Sequence, residues 1–146
     1  MHPKLSVRDK IYTLNRLADE NNKDQAQRLR SYINMVHLLG SYPESYINQK
    51  YYANAAYNAG LTLYGGFEGQ APDRAKAFKY YKLSADQKEN YGFFNLAECY
   101  RKGIGISKNK KTALKYYKLV AENTTDTSIA KDAQEEIDKL NLLSAS

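Results

Sequence analysis

The chain has 146 residues, is 42% hydrophobic and 26% charged, and carries a formal net charge of +6. That length suits one domain or one short array, and the apolar fraction is enough for a real core, which excludes wholesale disorder. No run reaches the roughly 18 apolar residues that span a bilayer; no apolar segment follows the first basic residues as in a secretory signal; and the lone Cys99 excludes an internal disulfide framework and suits a reducing compartment.

The first predicted helix begins after Ser6, a good N-cap, and carries Val7, Ile11, Leu14, Leu17 and Ala18 on one face. Asn21-Asn22 breaks it. Asp24 opens a second helix with Ala26, Leu29, Tyr32, Ile33, Val36 and Leu39, and Gly40 closes it. Residues 41–49, with Pro43, read as a connector or as the leading turn of the next helix. Up to residue 50 the charge is +3.

Beyond that point the sequence repeats itself. Residues 57–85 match residues 93–121 without a gap, a shift of 36 positions. Tyr64 meets Tyr100, Gly69 meets Gly105, Ala77 meets Ala113, and Tyr80-Tyr81-Lys82 meets Tyr116-Tyr117-Lys118. A fixed period in this range marks a stacked array in which each unit touches only its neighbours. Each unit reads as two helices. In the first unit, Gly65-Gly66 and Gly69 end one helix. Asp73 caps the next, just after Pro72, and Ala77, Phe78, Tyr80, Tyr81 and Ala85 form its apolar face. In the second, Gly92, Phe93, Leu96, Ala97, Cys99 and Tyr100 form one face. Lys102-Gly103-Ile104-Gly105 stops that helix. Asn109 caps its partner, which carries Ala113, Leu114, Tyr116, Tyr117, Val120 and Ala121. Residues 71–121 hold a charge of +8.

Residues 125–127 start a last amphipathic helix through Ile129, Ala133, Ile137, Leu140 and Leu143, in a segment of charge −4 over 122–146. A terminal helix with a polar outer face is what an array needs at its exposed end. The expectation is a single all-α domain over 1–146. It is a right-handed α-solenoid of stacked hairpins with about seven helices: a degenerate pair over 5–40, repeats over 54–89 and 90–124, and a cap over 125–143.

These residues resemble the Sel-one-like repeat, a branch of the tetratricopeptide-like superfamily. The second unit supplies Leu96-Ala97, Tyr100, Gly103-Ile104-Gly105, Asn109, Ala113, Tyr116-Tyr117 and Val120-Ala121. The first supplies Ala56, Leu61, Tyr64, Gly69, Asp73, Lys76-Ala77, Tyr80-Tyr81 and Ser84-Ala85. Phe67 stands where the family has its first loop glycine, so the first loop is expected to take a different shape; Asn109 stands where Asp is usual. The resemblance implies a non-enzymatic scaffold or adaptor for protein complexes, common in bacteria, with first helices lining a concave surface.

The side of each first helix opposite Tyr64 and Tyr100 presents Asn58, Ala59 and Thr62 in one unit and Tyr91, Phe94, Asn95, Glu98 and Lys102 in the other. Asn and Glu can hydrogen-bond a peptide backbone or a basic side chain, and Tyr and Phe can anchor. The competing reading is that Tyr91 and Phe94 pack against a neighbouring hairpin. On the second helices, Lys79, Lys82, Lys115 and Lys118 face away from the core and would form a convex basic patch for an acidic or nucleic-acid partner. The plainer reading is a solvated face in which Asp86 and Glu122, four residues beyond Lys82 and Lys118, give weak local ion pairs.

Catalytic residues and cofactors are not expected. His2 and His37 are the only histidines, and no metal-ligand spacing is present. Cys99 sits on an apolar face as an inert thiol. The Gly103-Ile104-Gly105 turn lacks the remainder of a phosphate loop. The expected partner is a protein or peptide, with no membrane, and the chain is a monomer or weakly self-associating through its acidic last helix and basic convex face. The expected location is cytoplasmic. Alternatively, the tail 132–146 is similar to the C-terminal export signals of type IV secreted effectors, which would place the protein in a host cell by a non-Sec route.

Overall fold

A computed structural model describes residues 4–19, 21–40 and 46–145. Among these, seven helices account for the architecture: α1 Val7–Leu17, α2 Gln25–Gly40, α3 Tyr46–Gly65, α4 Arg74–Asp86, α5 Asn90–Lys102, α6 Lys110–Asn123 and α7 Thr127–Ala145. Each packs on the next in sequence, and contact between helices further apart is slight. The fold is an all-α solenoid. Position 49 belongs to α3, so the leading-turn reading holds from Tyr46 onward; positions 41–45 lie outside the described residues.

Local chemistry sets the helix ends. Ser6 and Asp9 form a reciprocal capping box on α1. Asp24 accepts from the Gln27 N–H at 3.0 Å, Asp73 from the Lys76 N–H at 3.0 Å, and Asn109 from the Thr112 N–H at 3.0 Å. The α1 helix stops at Leu17, and the Asn22 amide donates to the Leu17 carbonyl at 2.8 Å. Two caps go beyond the sequence reading. Glu89 caps α5, and Asp126 accepts from the Ser128 and Ile129 N–H groups to start α7.

The core is a series of three clusters. Met35, Val36, Leu39, Ala55 and Ala56 join α2 to α3, with Ile11 and Leu14 of α1 resting on them. Leu29, Ala59, Leu63, Ala77, Tyr81, Cys99 and Ile104 join α2 through α5. Ala97, Ala113, Tyr117, Val120, Ile129, Ala133, Ile137 and Leu140 join α5 through α7. None of the residues of α1 is buried, so this helix is held at its edge, with Ala18 just past its end as the buried anchor. Leu143, expected on the capping face, is 68% exposed. The reason is length: α7 has 19 residues against 14 in α6, so its last turn extends past the helix it packs on.

Small residues set the helix spacing. A Cβ at Gly60 would stand 2.7 Å from the Tyr81 ring, and one at Gly92 would stand 2.6 Å from Ser84 Oγ and 2.8 Å from the Ala85 nitrogen. Ser84 is fully buried, and its hydroxyl donates to the Ala53 carbonyl at 2.9 Å. Close approach at Gly60 ties α3 to α4, and at Gly92 it ties α4 to α5.

The two repeat loops differ, as Phe67 predicts. In the second, Gly103 caps α5 in the left-handed region at φ 74°. In the first, the left-handed residue at the helix end is Gly66, one position earlier in register, and Phe67 and Gln70 exchange two backbone hydrogen bonds. Both loops then return alike, with Asp73 N–H donating to the Leu63 carbonyl and Asn109 N–H to the Tyr100 carbonyl.

Candidate functional site

The first helices of the hairpins leave three open recesses in a row. The recess at the α2–α3 end is lined by Gln25, Arg28, Tyr32, Asn58, Leu61 and Thr62. A middle recess between α3 and α5 has an apolar floor of Tyr64, Tyr81, Cys99 and Ile104, with Leu61, Asn95, Glu98 and Lys102 around it. The third, of about 240 Å³, lies where α5 meets α7, among Tyr57, Tyr91, Phe94, Asn95, Ser128 and Asp132. Leu61 belongs to the first two recesses and Asn95 to the last two, so the row forms one strip.

Seven of the eight residues singled out on the first helices line this strip; the eighth, Ala59, is instead fully buried in the core beside Leu63, Ala77 and Tyr81. The engagement of the seven differs. Asn58 donates to the Asn54 carbonyl and side-chain oxygen, Thr62 to the Asn58 carbonyl, and Asn95 to the Tyr91 carbonyl, each a local bond within its own helix. Phe94 stands edge-on to Tyr117 with ring centroids 5.5 Å apart, half-buried against the core of its own hairpin. Tyr91 is 41% exposed; its hydroxyl donates to Asp126 at 2.5 Å, and its ring lies 5.7 Å from that of Tyr57.

Glu98 has a different role from the one expected. Its carboxylate accepts from Arg101 at 2.8 Å, from Lys102 at 3.0 Å and from the Tyr117 hydroxyl. Arg101 in turn reaches Glu136 of α7 at 3.4 Å. Burial alone would raise the Glu98 pKa, but the hydrogen bonds from Arg101, Tyr117 and Lys102 together hold it below the usual carboxylate range. Glu98 thus ties α5, α6 and α7 together and has little acceptor capacity left for a partner.

The four lysines of the second helices, Lys79, Lys82, Lys115 and Lys118, are all exposed. The local ion pairs expected of them do not form: among the described residues, neither Lys82–Asp86 nor Lys118–Glu122 comes within ion-pair distance. Lysine preceding the acid is the weaker order on a helix. The α4 and α6 helices make at most marginal direct contact. The ring of Tyr100 bridges them, edge-on to Phe78 and stacked on Tyr116. The two lysine pairs therefore sit on separated helices.

Burial pushes the Cys99 thiol up to about 11, so it is inert at neutral pH. His37 is exposed. No group of three or more metal-ligating side chains occurs among the described residues. Tyr81 and Tyr117 are buried, and Tyr80 and Tyr116 half-buried, in the interhelical gaps. The tail from Asp132 to Ala145 is folded into α7, with Ala133, Ile137 and Leu140 turned into the core.

Sequence reasoning passed over Tyr57, Leu61, Ser128 and Asp132. The 36-residue shift pairs Tyr57 with Phe93, which reads as core, and Ser128 and Asp132 lie outside the repeat. Leu61 counted only as a repeat position; its 39% exposure is a property of the assembled face.

The Sel1 repeat model matches this chain twice, over residues 53–89 and 94–124. No curated protein matches it. Among solved structures it is similar to a Sel1 repeat protein from Oxalobacter formigenes, with 23% identity and a TM-score of 0.47. That likeness covers 82% of this chain and 49% of the other, so the chain spans about half the length of that neighbour.

Proposed function

From the premise that the chain is a Sel1-like repeat protein, a class that generally builds protein–protein interaction scaffolds, we propose that it is a non-enzymatic module binding an extended peptide or protein segment along the first-helix strip. The observation carrying this reading is the continuity of the three recesses through Leu61 and Asn95. A row of shallow recesses, the middle one with an apolar floor and all with polar side chains at the rim, suits a backbone with alternating side chains better than it suits a compact small molecule. The amides of Asn58 and Asn95 can pair with peptide groups, while Leu61 and the Tyr64 ring offer apolar contact.

The test is selection of displayed random peptides against the immobilised full chain, followed by Leu61→Asp. This exposed position tolerates the change without unfolding, because its side chain is not in the core. The selected peptides should bind the variant at least tenfold more weakly, the usual consequence of losing an interface anchor. Peptides that bind the variant equally well would remove the strip from consideration.

A further inference from the structure

The α5–α7 end of the strip has a chemistry of its own. Three aromatic rings, Tyr57, Tyr91 and Phe94, border its recess, and the two tyrosine rings are tilted 44° to one another. The polar side is acidic. Asp132 lines the recess, is exposed, and has no hydrogen-bond or ion-pair partner among the described residues. Asp126 is fixed beside it by the Tyr91 hydroxyl and by the first N–H groups of α7. Glu89, the cap of α5, lies close enough to add to the rise in both the Tyr57 and Tyr91 pKa values, after burial for the first and the Asp126 hydrogen bond for the second. No residue lining the recess is basic.

We propose that this recess is a subsite for a cationic side chain, an arginine or lysine presented by the partner. Ring faces attract a cation through their quadrupole, by about 0.5–2 kcal/mol depending on desolvation. The unpaired Asp132 carboxylate supplies the hydrogen-bonding counter-charge, and Asp126 and Glu89 supply a field. The overall charge of +6 works against a basic partner, but it is spread over the molecule. Screening limits distant charges to a Debye length of about 8 Å at physiological salt, and the one charged side chain lining the recess is the Asp132 carboxylate.

This inference rests on the strip as the binding surface, but its test needs no peptide. Amide NMR of the full chain is titrated with N-acetyl-arginine amide and, in parallel, with the neutral isostere N-acetyl-citrulline amide. The arginine derivative should give saturable shifts at Tyr91, Phe94, Asn95, Ser128 and Asp132, with a dissociation constant on the order of 1 mM as expected of a single side chain. The citrulline derivative should bind roughly tenfold more weakly, and Asp132→Asn should weaken arginine binding about as much. Asp132 is exposed and unpaired, so the variant keeps the fold. Equal binding of the two derivatives, shifts scattered over Glu135 and Asp138 instead, or an undiminished response in Asp132→Asn would each overturn the assignment. A negative titration alongside Leu61-dependent peptides would leave the strip standing and remove the cationic subsite; a positive titration with no selectable peptide would do the reverse.

Discussion

Glu98 stands where the preceding repeat has Thr62, and Arg101 stands where it has Gly65. The two substitutions act together, because Arg101 holds Glu98 in a two-pronged grip and also faces Glu136 of α7. Repeat one meets another hairpin at this position; repeat two meets the last helix and closes it with charge. Tyr117 completes the tie, and burial followed by the Glu98 hydrogen bond drives its pKa well above the ordinary value. Tyr117→Phe keeps the ring and removes the donor. The expected loss is about 1.5–3 kcal/mol, the range for a hydrogen bond to a charged group. A urea denaturation series reads it directly, and an unchanged midpoint would show the tie to be idle. Glu98 itself has a depressed pKa, so its contribution is complete above pH about 4.3 and fades as pH falls through the folded value.

At the scale of elements, the repeat loops separate conformational demand from packing demand. Gly69 and Gly105 are equivalent under the 36-residue shift, and both are left-handed, at φ 85° and 69°. A Cβ on Gly69 would meet open space, whereas one on Gly105 would lie 2.4 Å from the Arg74 carbonyl oxygen. Gly69→Ala should therefore cost only the left-handed penalty of roughly 1–2 kcal/mol. Gly105→Ala should cost clearly more, since a backbone atom of the neighbouring hairpin must move. Thermal unfolding of the pair measures the difference, and equal costs would mean that the α4–α5 contact is soft. The caps Ser6, Asp24, Asp73 and Asn109 were readable in advance because a cap is local chemistry. Glu89 was not, being an uncommon cap type, and Asp126 sat among threonines that compete for the same role. The candidate site was legible only in part for a related reason. The residues on α5 follow from helical spacing, but Tyr57, Ser128 and Asp132 join them only through the packing of α3 and α7 on either side.

For the molecule as a whole, tyrosine is the filling material, with 14 of 146 residues and no tryptophan. Tyr52, Tyr57, Tyr80, Tyr81, Tyr91, Tyr116 and Tyr117 all have raised pKa values, through burial in every case but Tyr91, where the Asp126 hydrogen bond leads. The folded state prefers these hydroxyls protonated. Their stabilisation is complete below the unfolded tyrosine value of about 10 and is lost as pH rises above it. Cys99 adds a smaller loss that begins near its ordinary thiol value. Unfolding midpoints should hold through neutral pH and drop steeply beyond pH about 10, together with the appearance of tyrosinate absorbance. Ionisation of the buried Tyr81 and Tyr117 without loss of helix would contradict their assignment to the interior.

The three clusters in series also impose an order in time. Every helix leans mainly on its neighbour in the chain, so during synthesis each cluster can close once the following helix has left the ribosome, without waiting for a distant segment. The exception is the last step. Until Glu136 and the apolar face of α7 emerge, Arg101 lacks its second carboxylate and the Ala97, Tyr117 and Val120 surface stays wet. The α7 helix therefore completes this cluster, and a nascent chain stalled before it would be the form that quality control has to shield.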